Sequence, residues 1–122
     1  MSHRHHAIDY VELRAPDVAA AKSFYATAFG WTFTEYGPAY AGFSDGRTHD
    51  GASVESGGIM EGDASPGGPL VILYSQDLEA TRTAIVAAGG TVVKDIYAFP
   101  GGRRFELADP AGNVLAVWSD HS

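Results

Sequence analysis

Side chains able to do chemistry are few in this sequence and widely spread. Five histidines stand at His3, His5, His6, His49 and His121, and there is no cysteine. The missing thiols exclude a cysteine nucleophile, a thiolate metal site and a disulfide framework. The histidine spacing matches no compact metal or catalytic motif, so it reads as mobile terminal histidines and a solvated turn at His49-Asp50. His6 is set apart only because it shares strand parity with Tyr10. Glu12 is the most informative carboxylate. It lies in Ile8 to Arg14, where Tyr10, Glu12 and Arg14 alternate with Val11 and Leu13. A carboxylate on that face is either neutralised by Arg14, Arg103 or Arg104, or kept as a base or anchor for a ligand's donors.

The elements that must position these groups follow from turn residues and periodicity. After the first strand, Pro16 and Asp17 supply a turn and an N-cap, and a helix is expected from Val18. Val18, Ala21, Phe24, Tyr25, Ala28 and Phe29 form its apolar face, and Gly30 stands where a left-handed C-terminal residue is wanted. Strand-like stretches follow near residues 31–36, 40–44 and 52–56. The run GGIMEGDASPGGP from Gly57 to Pro69 reads as a linker. Beyond it the order recurs: a strand at Leu70 to Ser75, Asp77 as cap, a helix from Leu78 to Ala88, the stop Gly89-Gly90, and strands near residues 91–97, 103–108 and 113–119. Asp109-Pro110-Ala111-Gly112 makes the last turn. Asp17 and Asp77 are 60 positions apart, Gly30 and Gly90 also 60, and Gly51 and Gly112 are 61 apart. The chain therefore reads as duplicated, with a first module over about residues 7–57, a linker over about 58–68 and a second module over about 69–120.

The 122 residues fit one ordinary domain, and 45% apolar with 19% charged residues is a globular composition. Eight basic against fifteen acidic residues leave a formal charge of −7, with no basic cluster beyond Arg103-Arg104, so nucleic acid is not an expected partner. The opening MSHRHHAIDYVEL has no apolar signal core, and no run approaches the roughly 18 apolar residues of a membrane span. A cytoplasmic location is the expectation, with no membrane partner.

Three stretches carry a family resemblance: YVELRAPDVAAAKSFYATAFGW, DLEATRTAIVAAGGTVV and FELADPAGNVLAVWSD. Together they resemble the vicinal-oxygen-chelate superfamily of glyoxalases, bleomycin-resistance proteins and dioxygenases. The resemblance implies an α+β fold of two tandem βαβββ modules whose curved mixed sheets form a cleft. It does not imply one reaction, since this fold carries lyases, isomerases, dioxygenases and non-catalytic drug binders. Metal-dependent members use His and Glu from the first and last strand of each module. By the family's spacing those positions fall here on Tyr10, Glu55, Leu70 and Ala116. Leucine and alanine offer no lone pair, and a single carboxylate does not hold a hard ion. A metal-dependent glyoxalase of the usual design is therefore not expected, and no metal or cofactor is.

If Tyr10 faces the cleft, parity sends Glu12 with it, places Ser53 and Glu55 on the inner face of the fourth strand, and adds Ile72 from the fifth. Val114 and Trp118 take the same face in the last strand. Trp118 either stacks on a planar ligand or covers a core edge. Tyr36, Tyr40, Tyr97, Phe99 and Phe105 are expected mostly in the core, some lining the cleft. Arg103-Arg104 reads as an exposed hairpin pair or as a carboxylate or phosphate binder. The leading expectation is a metal-independent protein that binds a small molecule of unassigned identity. The alternatives are a lyase or isomerase using Glu12 or Glu55 as general base, or an atypical metal site, and a module acting through a protein partner. Open sheet edges and apolar faces predict a homodimer.

Overall fold

A computed structural model describes residues 3–63 and 68–121. The chain forms two compact units, one of residues 10–69 and one of residues 3–9 with the segment from Leu70 onward. Each is a mixed sheet backed by one helix, and the fold is α+β.

In the first unit, the part of β1 (Ile8–Ala15) from Tyr10 onward leads into α1 (Val18–Phe29). The helix starts where the Asp17 carboxylate accepts the Ala20 amide hydrogen at 3.0 Å. It stops at Gly30, whose φ of 74° lets its N–H reach the Ala26 carbonyl at 2.9 Å. Then come β2 (Thr32–Glu35) and β3 (Tyr40–Ser44), a two-residue-stranded hairpin of β4 (Thr48–His49) and β5 (Ala52–Ser53), and β6 (Gly57–Glu61). The sheet order is β2-β3-β6-β1, antiparallel except for the parallel β6–β1 pair. Its helix side buries Val18, Ala41, Phe43 and Ile59 against Leu13, Tyr25, Trp31 and Phe33. Trp31 stacks between Tyr25 and Phe43, with centroids 4.9 and 4.5 Å away. Each large apolar side chain so buried stabilises by about 1.5–3 kcal/mol relative to exposure.

The second unit repeats the plan with β7 (Leu70–Tyr74), α2 (Leu78–Ala87), β8 (Thr91–Phe99), β9 (Gly102–Ala108) and β10 (Val114–Ser119), in the order β7-β10-β9-β8. Asp77 caps α2 through the Ala80 amide at 3.0 Å. Leu78, Phe105, Leu107 and Val117 make its core. The Asp109 side chain accepts from the amides of Ala111 and Asn113, both at 2.9 Å, and holds the turn before β10. The N-terminal segment joins this unit, with the His6 amide donating to the Tyr74 carbonyl and the Tyr74 amide to the Ala7 carbonyl.

Several expectations are corrected. The fourth strand of the first unit is not residues 52–56, and Gly57 to Glu61 is not linker: it is β6, with Gly57, Gly58 and Ile59 buried. Composition misleads there because glycines without side chains allow other groups to close over the strand. The apolar face of α1 is also narrower than its periodicity implies. Val18, Ala21 and Tyr25 pack on the core, whereas Phe24 and Phe29 remain 57% and 63% exposed. Of the five aromatic residues assigned mostly to the core, only Phe105 is fully buried. Neither described helix is long and apolar enough to cross a membrane.

Candidate functional site

On the side of the first unit's sheet away from α1, β1 presents Tyr10 and Glu12, β3 presents Tyr40 and Gly42, and β6 presents Gly58. Strand register sets Glu12, Gly58, Gly42 and Thr34 side by side across four strands. The two glycines form the floor of this row. A Cβ at Gly42 would lie 2.3 Å from the Glu55 carboxylate, and one at Gly58 would lie 2.2 Å from the Tyr40 hydroxyl. Only residues without side chains let those groups lie flat on the sheet.

On this floor a continuous chain of phenols and carboxylates forms. Tyr36 donates to Glu55 Oε1 at 2.7 Å and Tyr10 to Glu55 Oε2 at 3.0 Å. The Tyr40 hydroxyl lies 3.1 Å from that of Tyr10 and 3.2 Å from Glu12 Oε1. Glu12 is only 2% exposed. Burial, then the neighbouring Tyr40 and Glu55, push the Tyr10 phenol far above its ordinary range. The hydrogen bond to Glu55 raises that of Tyr36, helped by burial. Phenols held this way are donors at neutral pH, not phenolate bases. Glu55, taking a hydrogen on each oxygen, is the acceptor around which they turn. A recess of about 260 Å³ borders it, edged by Thr32, Thr34, Ser44, Ser53 and Val54.

Glu55 reaches this position from the connection between β5 and β6, not from a strand face. Ser53 pairs with Thr48 in the small hairpin and stays exposed. In the second unit the corresponding row is Ile72, Ala116, Glu106 and Lys94. Ile72 and Ala116 are buried, and Val114 is 46% exposed. Beside them Arg104 donates through Nε to the Tyr97 hydroxyl, its guanidinium lies 3.7 Å from Glu106, and the Lys94 ammonium sits 4.3 Å from the Tyr97 ring centroid. Arg104 is thus largely enclosed, not an exposed hairpin residue, while Arg103 pairs with Glu79 on α2 at 2.6 Å. A recess of about 420 Å³ in this unit, against Arg82, Thr83, Val86, Ala87 and Val92, lies away from these groups and has few polar atoms. Trp118 donates from Nε1 to Asp9 at 2.9 Å and meets the His3 ring edge-on at 4.9 Å. The N-terminal histidines are held: His6 reaches Thr81 Oγ1 at 3.0 Å, and His5 accepts from the Gln76 amide at 2.9 Å.

The register also corrects the metal positions. Ala116 stands beside Ile72 in β10 and β7, as Gly58 stands beside Glu12 in β6 and β1. The last-strand position of the first unit is therefore Gly58, not Glu55. The four positions become Tyr10, Gly58, Leu70 and Ala116, of which three carry no donor side chain. Among the described residues no group of three or more His, Asp or Glu side chains is placed to hold a metal ion. The family's metal does not fit these residues. Sequence reasoning missed Tyr36 and Tyr40 as partners of Glu55 and Glu12. Its available signal was the pair of glycines in YAGFS and GGIME, which alternate in step with the strands.

Comparison with known proteins agrees with this fold. The family model described as the Glyoxalase/Bleomycin resistance protein/Dioxygenase superfamily matches residues 7–117. The anthracycline biosynthesis protein DnrV of Streptomyces peucetius is 32% identical over 89% of this chain and 45% of its own length. The putative glyoxylase CFP32 of Mycobacterium bovis is 28% identical over 90% of this chain and 44% of its own. The chain thus spans less than half the length of these curated relatives. In fold, it resembles a variant of Streptomyces coelicolor methylmalonyl-CoA epimerase in complex with 2-nitronate-propionyl-CoA, with a TM-score of 0.73 and 18% identity over 98% of this chain and 100% of that one.

Proposed function

Since this chain belongs to the glyoxalase/bleomycin resistance protein/dioxygenase superfamily, we propose that it binds a small molecule without a metal ion, on the phenol–carboxylate chain of its first unit. The observation that carries this reading is the Tyr36–Glu55–Tyr10–Tyr40–Glu12 run of polar contacts, laid on Gly42 and on Gly58, the latter at a position where a metal-binding relative would need a donor. Glu55 and the phenols offer convergent acceptors and donors beside a small recess, the arrangement of a site that orients a ligand through a few polar groups. The name of the Streptomyces relative favours a natural product with an aromatic, oxygen-bearing skeleton as the ligand class.

A thermal-shift screen of such compounds tests it. A saturable rise in melting temperature, lost in Tyr40→Phe and in Glu55→Gln, is the expected result. A panel in which hits respond equally in both variants removes this face as the site. A second reading, a lyase or isomerase with Glu55 as general base, is favoured by the position of that carboxylate at the edge of the recess. Turnover of a bound compound, abolished by Glu55→Gln with binding retained, separates it from simple binding. We propose further that the protein is a cytoplasmic homodimer. The exposed Phe24 and Phe29 on α1 and the open outer edges of β2 and β8 supply surface for a second copy.

A further inference from the structure

The second unit holds an aromatic cage that the chain fills with one of its own side chains. Its walls are Tyr74 on β7, 3% exposed, and Trp118 on β10. The His3 ring occupies it. It stacks on Tyr74 with centroids 5.1 Å apart and planes 17° from parallel, and it meets Trp118 edge-on at 4.9 Å and 89°. Its Nδ1 is 3.0 Å from Asp9 Oδ1, while the other oxygen of the same carboxylate accepts from Trp118 Nε1 at 2.9 Å. Asp9 thus presents one oxygen to the occupant and uses the other to fix the orientation of the indole. Tyr74 is fixed in turn by a hydrogen bond to Asp120.

The walls sit on paired strands, and the occupant sits on the terminal segment before them. Its three contacts, a flat face, a ring edge and a carboxylate oxygen, are the full set that recognises a planar ring with an N–H in its plane. We propose that this cage is a binding site for planar nitrogen heterocycles carrying a ring N–H, neutral or cationic, and that His3 is its tethered competitor. The site lies within the second unit and stands independently of the phenol–carboxylate chain in the first. A side chain tethered by a few residues competes at an effective concentration in the millimolar range. A free ligand displaces the segment once its concentration relative to its own dissociation constant exceeds the same ratio for the tethered His3 ring.

The probe is 4-methylimidazole, read at the Trp118 indole N–H resonance by nitrogen-15 correlation spectroscopy. The two tryptophans, Trp31 and Trp118, give two indole signals, which a Trp31→Phe sample assigns. His3→Gly is expected to show a saturable shift of the Trp118 signal, and the unmodified chain to need at least threefold more probe for the same shift. Asp9→Asn in the His3→Gly background is expected to weaken the response at least threefold. If His3→Gly loses signal dispersion, His3→Ser replaces it. An absent response in the opened cage, an equal response in the unmodified chain, or indifference to Asp9→Asn each overturns the proposal.

Discussion

The Tyr10 hydroxyl donates to Glu55 across 3.0 Å, although the two residues are 45 positions apart and only Tyr10 lies in a strand. That bond ties β1 to the connection leading into β6, and it positions the carboxylate at the edge of the recess. A hydrogen bond to a charged acceptor contributes about 1.5–3 kcal/mol. Because Tyr36 still holds Glu55, Tyr10→Phe is expected near the low end, a loss of about 1.5 kcal/mol in urea denaturation. An unchanged midpoint contradicts the bond.

Gly58 carries the Tyr40 phenol over its Cα. Gly58→Ala places a methyl group within 2.2 Å of that hydroxyl, so Tyr40 must leave both Tyr10 and Glu12. Overpacking of this kind costs about 1–3 kcal/mol. The expected result is a lowered melting temperature together with loss of ligand affinity. Stability and affinity both at the unmodified level would mean that Tyr40 does not lie there.

Tyr74 gives a pH signature. Burial first, and then the hydrogen bond to Asp120, raise its phenol from 10.0 to about 12. A raised value favours the protonated folded form, so the contribution is complete below pH 10 and is lost as pH rises through about 12. Urea midpoints measured from pH 9 to 12 should fall more steeply for the unmodified chain than for Tyr74→Phe. Parallel curves for the two proteins would refute the assignment.

Zinc, nickel, cobalt and manganese are expected to give no saturable gain in melting temperature. A native-state ligand at a hundredfold excess over its dissociation constant adds about 2.7 kcal/mol, which such a measurement resolves easily. A clear gain abolished by Glu55→Ala would show that a metal uses this carboxylate after all.

The two helix caps are predicted to be equivalent. Asp17→Ala and Asp77→Ala each remove one acceptor for a first-turn amide, and each should cost about 1 kcal/mol. Light scattering on the same samples tests the dimer, and a mass near 12.9 kDa at micromolar concentration would exclude it.

Both caps, the stop at Gly30, the face shared by Tyr10 and Glu12, and the α+β family were legible in the amino-acid sequence alone. Each is a local matter: a cap joins residues three apart, a left-handed turn needs one glycine, and strand parity is set by successive residues. What the tertiary structure decided is which strand closes the first sheet and what lies on it. The pairing of Gly58 with Glu12 and of Gly42 with Gly58 is set by hydrogen bonds between distant segments, and composition marks Gly58 as linker. Tyr40 as the partner of Glu12, Glu55 as the acceptor for Tyr10 and Tyr36, and His3 inside the Tyr74–Trp118 cage were likewise decided there. The polarity of a side chain shows that it needs a partner, but only the packed chain brings that partner within 3 Å or so, because the contact is made by strand register and not by sequence spacing.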